Sequence, residues 1–241
     1  MLILAAGDFH GALDWLPPLP DRHRPDLLLC VGDWGDPGQV PAAQYRAVLE
    51  RVPTLSISGN HDDRSLLGQL RNNDGTPVLL ADGISCDFSG MAVAGINGIW
   101  AKTKLATRLT AQWEAARHRD PDLDFEAWRG GRPLPPYVTD EEVAALSAPL
   151  AGQRIDVLMT HGCPVGLADL TPRGGRGGQR CFRLAFDTIR PQIHLCGHLH
   201  RQQRVDLPDG RLALNTGSGA EGCGWWIRRL PGRWEAWPVI D

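Results

Sequence analysis

Six short apolar runs, each closed by a polar cluster that carries glycine, limit what this chain can fold into: Leu2 to Ala6, Leu27 to Val31, Thr54 to Ile57, Met91 to Ile96, Ile155 to Met159 and Ile193 to Cys196. Runs this short, built from Val, Ile and Leu, suit strands buried on both faces, and periodicity alone leaves short buried helices open. Helix-length segments such as 38 to 51 separate the first runs, which predicts β-α-β units. The later runs at 203 to 207, 211 to 215, 224 to 230 and 234 to 240 are divided by turn residues such as Pro208-Asp209-Gly210 and Pro231-Gly232, which predicts antiparallel hairpins. The expected fold is mixed α/β with two sheets.

Residues 101 to 150 differ in texture. A charged, helix-prone stretch from about Thr103 to Arg119 leads into a Pro- and Gly-rich 130 to 136, and Thr139-Asp140-Glu141-Glu142 then reads as a capping box before Val143 to Leu150. This segment is expected to be a helical insertion, either overhanging a site or serving as a plain connecting helix pair. With 241 residues, one domain over 1–241 is the expectation. The formal charge of -3 gives no bulk basic field for long nucleic-acid tracks. Six scattered cysteines without a C-x-x-C pair read as reduced thiols. The first strand leads straight into candidate ligands and has no basic leader, and no apolar run reaches membrane-spanning length, so a cytoplasmic location without membrane contact is expected.

The chemistry lies in the clusters that close the runs. They are Gly7-Asp8-Phe9-His10-Gly11, Gly32-Asp33-Trp34-Gly35-Asp36, Gly59-Asn60-His61-Asp62, Thr160-His161-Gly162 and Gly197-His198-Leu199-His200, and they hold five of the eight histidines. Mixed oxygen and imidazole donors suit Mn, Fe, Zn, Co or Ni, with Mn the first choice. In an α/β sheet the carboxyl ends of parallel strands open on one crevice, so donors far apart in sequence can meet there. A lone Asp-x-His or His-x-His pair is usually a turn or a surface pair; five clusters in this order are not.

In this order the clusters resemble the calcineurin-like metallophosphoesterase family, whose pattern is D-x-H, G-D, G-N-H-[DE], H and G-H-x-H. The resemblance runs from about Leu2 to Gly217, and the stretch from Ile155 to Gly162 through Gly197 to His200 is most similar to the small phosphodiesterase-type branch. It implies a four-layer αββα sandwich, two packed mixed sheets flanked by helices. It also implies two divalent cations, one held by Asp8, His10 and His200, the other by Asn60, His161 and His198, with Asp33 bridging. A carboxylate suits a bridge between cations about 3.5 to 4 Å apart, and solvent held there loses a proton near neutral pH to become the nucleophile. His61 is implied as proton donor to the leaving oxygen, with Asp36 as its partner. As a turn, Asp36-Pro37-Gly38 also stands by itself.

The implied reaction is hydrolysis of a phosphodiester, such as a cyclic nucleotide or a nucleic-acid end, on a small phosphoester or nucleotide, with short nucleic acid also open and no obligate protein partner. A phosphomonoesterase is the alternative. Protein Ser/Thr phosphatases of this superfamily carry an arginine where Pro37 stands, which turns the reading away from phosphoproteins. Arg173, Arg176 and Arg180, in a Gly-rich stretch between His161 and His198, are candidate phosphate contacts, and a solvated loop explains them equally well. Trp34 is a candidate stacking surface or a packed wall. A non-catalytic module on the same fold would be expected to lack ligands such as His200 or His61, and none is missing.

Overall fold

The computed structural model describes residues 1–101, 118–121 and 137–239. Along the chain the elements run β1 (Leu2–Ala6), α1 (Pro18–His23), β2 (Leu27–Cys30), α2 (Ala42–Leu49), β3 (Thr54–Ser56), α3 (Arg64–Gln69), β4 (Ser85–Phe88), β5 (Met91–Ile96), β6 (Ile99–Trp100) and β7 (Tyr137–Val138). Then come α4 (Asp140–Ser147), β8 (Val157–Thr160), α5 (Arg180–Ile189), β9 (Ile193–Cys196), β10 (Gln203–Asp206), β11 (Leu212–Asn215), β12 (Trp225–Leu230) and β13 (Arg233–Pro238). All six cysteines are free thiols. Among the described residues no helix is long and apolar enough to cross a membrane.

Two mixed sheets carry the fold. The first has the order β13-β12-β1-β2-β3, the second β10-β11-β9-β8-β5-β4, and β6 pairs β7 separately. In the first sheet β1, β2 and β3 are parallel; in the second β5, β8, β9 and β11 are. Both C-terminal hairpins form as expected, β10 with β11 and β12 with β13. Alternate residues explain why the strands read as unbroken apolar runs. Ile3, Ala5, Leu27 and Leu29 face Val93, Val157, Met159 and Leu195 of the other sheet, whereas Leu4, Ala6, Leu28 and Cys30 pack outward with Tyr45 and Val48 of α2. On the far side Leu158 packs with Val143 of α4 and with Phe182 and Ile189 of α5. A strand between two layers has no polar face to show.

Several elements depart from the sequence reading. Ser-Cys-Asp-Phe in β4 lies at an edge and half-exposed, so it lacks an apolar run. Helix α5 buries Cys181, Phe182, Ala185, Phe186 and Ile189, a helical stripe directly behind a Gly-rich stretch that reads as loop. The capping box at α4 is present: Glu142 N–H donates to Thr139 Oγ1 at 3.3 Å, and Thr139 N–H donates to Glu142 Oε2 at 3.0 Å. The helix expected from Thr103 to Arg119 lies outside the described residues apart from a turn at His118 and Arg119. The Pro- and Gly-rich 130 to 136 and the anticipated overhang lie outside them as well.

Candidate metal centre

Every candidate ligand sits just past the carboxyl end of a parallel strand: Asp8 and His10 after β1, Asp33 after β2, Asn60 and His61 after β3, His161 after β8, His198 and His200 after β9. Backbone hydrogen bonds sew these turns together. Phe9 and His10 donate to Asp33 O at 2.8 and 3.1 Å, and Gly197 donates to His161 O at 3.0 Å. The sheets are joined where His198 N–H donates to both Asp8 carboxylate oxygens, at 3.0 and 2.9 Å, and where His161 Nδ1 lies 2.8 Å from Val31 O. The turn after β11 closes the floor, with Gly219 and Ala220 donating to Gly7 O and Asp8 O.

These turns are tight. Of nine non-glycine residues with positive φ among the described residues, five are Asp8, His10, Asp33, His198 and His200. Such conformations are costly outside glycine and tend to gather at functional sites. Gly59 is forced by contact: a Cβ there would meet Asp33 Oδ1 and His161 Cε1. At Gly32 a φ of +94° and the adjoining Gly59 backbone both exclude a side chain.

The donor atoms converge. His10 Nε2 lies 3.1 Å from His200 Nε2, His200 Nε2 lies 3.4 Å from Asp8 Oδ1, and His161 Nε2 lies 3.3 Å from Asp33 Oδ2. Asp8, His10 and His200 form one group with donor atoms within 4.8 Å of one another, and Asp8, Asp33 and His161 another. His198 joins through its ring, 5.2 Å from that of His161. Asp33 Oδ2, Asn60 Oδ1 and His161 Nε2 are buried without a hydrogen-bond partner. The Val31 carbonyl can only accept, so His161 Nδ1 is the donor there and its Nε2 faces a carboxylate oxygen. That pairing requires positive charge between the two atoms. Orphaned oxygens and an imidazole nitrogen turned inward fit bound divalent cations.

Electrostatics agree with this demand for charge. Burial disfavours the Asp33 carboxylate, yet His161 beside it holds its pKa well below the usual range. Burial likewise opposes charge on His161, and Asp33 overrides it, raising that imidazole to about 10. Burial and then His161 push His198 down to about 4. Burial lowers His10 despite Asp33 and Asp8, while the hydrogen bond with Asp8 raises His200.

His61 stands at the rim. Its N–H donates to Asp33 Oδ1 at 2.8 Å, and its ring Nδ1 lies 2.9 Å from Asp36 Oδ1. It also groups with His10 and Asp33 as donors within 4.8 Å of one another. Gln39, absent from the sequence reading, ties this corner down: its amide donates to His10 O at 2.6 Å and its oxygen accepts from Asp36 N–H at 2.8 Å.

Two further residues anchor the site from behind. Asp62 is buried and accepts three backbone N–H groups, from Asp33 and Gly59 on Oδ2 at 2.8 and 2.7 Å and from Trp34 on Oδ1 at 2.8 Å. Burial, then the Asp33 charge, pushes its carboxyl up to about 7 against those donors. Asn97, at the end of β5, accepts from Ser58 N–H at 2.7 Å and donates to Leu80 O and Asp82 Oδ1, so the second sheet holds the turn that carries Asn60. In sequence Asn97-Gly98 closes an apolar run like the ligand clusters do, which was the available signal.

The substrate candidates separate. Trp34 is not a stacking surface: it is 1% exposed, wedged between Phe9 and Tyr45, with its indole N–H on Ser56 Oγ at 3.0 Å. Arg176 is paired at 2.5 Å with the buried Asp169, Arg180 begins α5, and Arg173 is exposed on a turn.

The calcineurin-like phosphoesterase family model matches residues 1–202. The UPF0046 protein C25E10.12 of Caenorhabditis elegans is 25% identical over 230 residues, covering 87% of this chain and 72% of that protein. Among solved structures, a dimetal phosphatase from Danio rerio superposes with a TM-score of 0.63 at 13% identity, covering 99% of this chain and 95% of that one. GAP50, the anchor in the inner membrane complex of Plasmodium, superposes with a TM-score of 0.50 at 11% identity, covering 91% of this chain and 72% of that one.

Proposed function

This chain belongs to the calcineurin-like phosphoesterase family, and from that premise we propose that it hydrolyses a phosphodiester with two divalent cations, Mn foremost. Asp8, His10 and His200 would hold one cation, Asn60, His161 and His198 the other, and Asp33 both. The observation that carries the reading is the convergence of Asp8, His10, Asp33, His161 and His200, with Asp33 Oδ2, Asn60 Oδ1 and His161 Nε2 buried and unpartnered and the His198 ring against that of His161. Bound there, the cations would polarise the phosphoryl oxygens and make water nucleophilic at neutral pH.

The chain's own residues supply the rest. His61 Nδ1 donates to the Asp36 carboxylate, so in the doubly protonated ring the second proton sits on Nε2, which would hand it to the departing oxygen and return to the neutral imidazole. Gln39 keeps Asp36 and His10 in register. Asp62 and Asn97 hold the Asp33 and Asn60 turns from behind.

The diester preference rests on Pro37, which stands where a protein phosphatase would carry an arginine. The fold likeness to a dimetal phosphatase motivates the monoester alternative. Comparing turnover of bis-aryl and mono-aryl phosphates with added Mn separates them. Faster hydrolysis of the bis-aryl ester is expected; a clear preference for the monoester refutes the diester assignment.

A further inference from the structure

Between His161 and His198 the chain builds a small hairpin whose turn, 171–175, carries Arg173. Thr171 N–H donates to Gly175 O at 2.7 Å, Gly177 N–H donates to Asp169 O at 2.9 Å, and Leu170 bridges Arg176. This is a fixed structure. At its base the Asp169 carboxylate, 1% exposed, accepts from Arg176 and from Gly166 N–H. The amide of Gln203 grips the Leu170 backbone at two points, accepting its N–H at 3.0 Å and donating to its carbonyl at 2.7 Å.

The hairpin is also locked to the metal-centre turn. Gly177 lies so close to Leu199, between His198 and His200, that a Cβ on it would come within 2.6 Å of Leu199 Cδ2. Arg201, which follows His200, donates from Nη1 to Thr171 O at 3.1 Å. Arg201 thus reaches the turn that carries Arg173, while Arg176 neutralises the Asp169 carboxylate at the base of the same hairpin. Among the described residues Arg173 and Arg201 have no carboxylate partner. A chain of net charge -3 thus reverses its sign beside the ligand His200. Each guanidinium has five donors in a planar fork; Arg201 uses one on Thr171.

We propose that Arg173 and Arg201 form an anion subsite contiguous with the metal centre, which receives a second phosphate of the substrate. The substrate class is then a phosphodiester that bears a further phosphate, such as a nucleotide ester phosphorylated on its other hydroxyl. This inference rests on the phosphodiesterase reading above. Arg176 is the positioning residue, since it holds Asp169 and with it the hairpin. Because the hairpin backbone is braced before substrate arrives, binding has to order the arginine side chains and not the loop.

Two measurements test it. Thymidine 5′-(p-nitrophenyl phosphate), with and without a 3′-phosphate, is assayed on the Mn-loaded full chain. The 3′-phosphate is expected to lower KM by about tenfold or more, the scale of a charge-assisted contact. The ratio of the two KM values should fall towards one in Arg173→Gln and in Arg201→Gln. Independently, calorimetry on the chelator-treated full chain measures thymidine 3′,5′-bisphosphate, whose affinity should drop by about tenfold in both variants. Arg173 is exposed, so its variant reports binding even if Arg201→Gln perturbs the hairpin. Equal KM values in the wild type, or bisphosphate affinity unchanged in Arg173→Gln, overturns the subsite. Failure of the wild type to hydrolyse either ester, with the calorimetric drop present, overturns the phosphodiesterase reading and leaves the subsite standing.

Discussion

Replacing Asp62 with asparagine is a near-isosteric change that tests how the turns bearing the candidate ligands are held. The carboxylate now accepts Asp33 N–H and Gly59 N–H on Oδ2 and Trp34 N–H on Oδ1, all between 2.7 and 2.8 Å. If the asparagine oxygen keeps the first two, its NH2 group faces the Trp34 N–H, so a buried donor loses its acceptor and meets another donor. Leaving one buried polar group unsatisfied costs about 1–3 kcal/mol. For a chain of this size about 1 kcal/mol lowers Tm by about 2–4 °C, so a fall of about 2–12 °C is expected. The melts should be run near pH 4, where Asp62 is neutral in the folded chain and partly so in the unfolded one; near pH 8 the charge that burial and Asp33 disfavour opposes folding, and asparagine would gain by removing it. Mn affinity should weaken with stability, since the turns bearing Asp33 and Asn60 share this anchor. Wild-type melting together with wild-type Mn affinity in Asp62→Asn would refute the reasoning.

Three other outcomes follow from the site and core. His61→Ala should retain Mn while turnover falls by about 10²–10⁴-fold, the usual worth of a proton donor; loss of metal instead would make His61 a ligand. Trp34→Phe should lower Tm, because the indole N–H on Ser56 Oγ is lost, and leave KM for an aryl diester unchanged; a raised KM would put the ring on the substrate. His194 is fully buried, and burial lowers its pKa from 6.5 to about 3. Between those values the unfolded chain binds a proton there that the folded chain refuses, so stability falls as pH drops below 6.5, by about 1.4 kcal/mol per unit. His194→Gln should flatten the acid limb of urea-unfolding free energy by about that slope, and parallel curves would contradict the assignment.

What the sequence revealed depended on how local each signal was. The central strands of both sheets are legible because burial on two faces leaves continuous apolar runs, which the edge strand β4 lacks, and the candidate ligands because sharp turns at strand ends demand glycine beside Asp, Asn and His. The left-handed backbone at Asp8, His10, Asp33, His198 and His200 is the three-dimensional form of that punctuation. Asp62 and Asn97 stand in glycine-bearing clusters, yet what they hold is not legible, since each binds the backbone of a turn from another part of the chain, and Gln39 lies in no such cluster. Trp34 shows the limit of adjacency: it follows the proposed bridging residue, yet its side chain enters the layer beneath α2. Arg176 was read for its charge, while its partner Asp169 became visible only when the hairpin closed.

The central claim, that one crevice holds two cations sharing Asp33, is tested most directly by titrating chelator-stripped protein with Mn and counting equivalents bound by calorimetry. Two equivalents per wild-type chain are expected, and none with comparable affinity in Asp33→Ala. A single equivalent in the wild type, or two retained in Asp33→Ala, would contradict it.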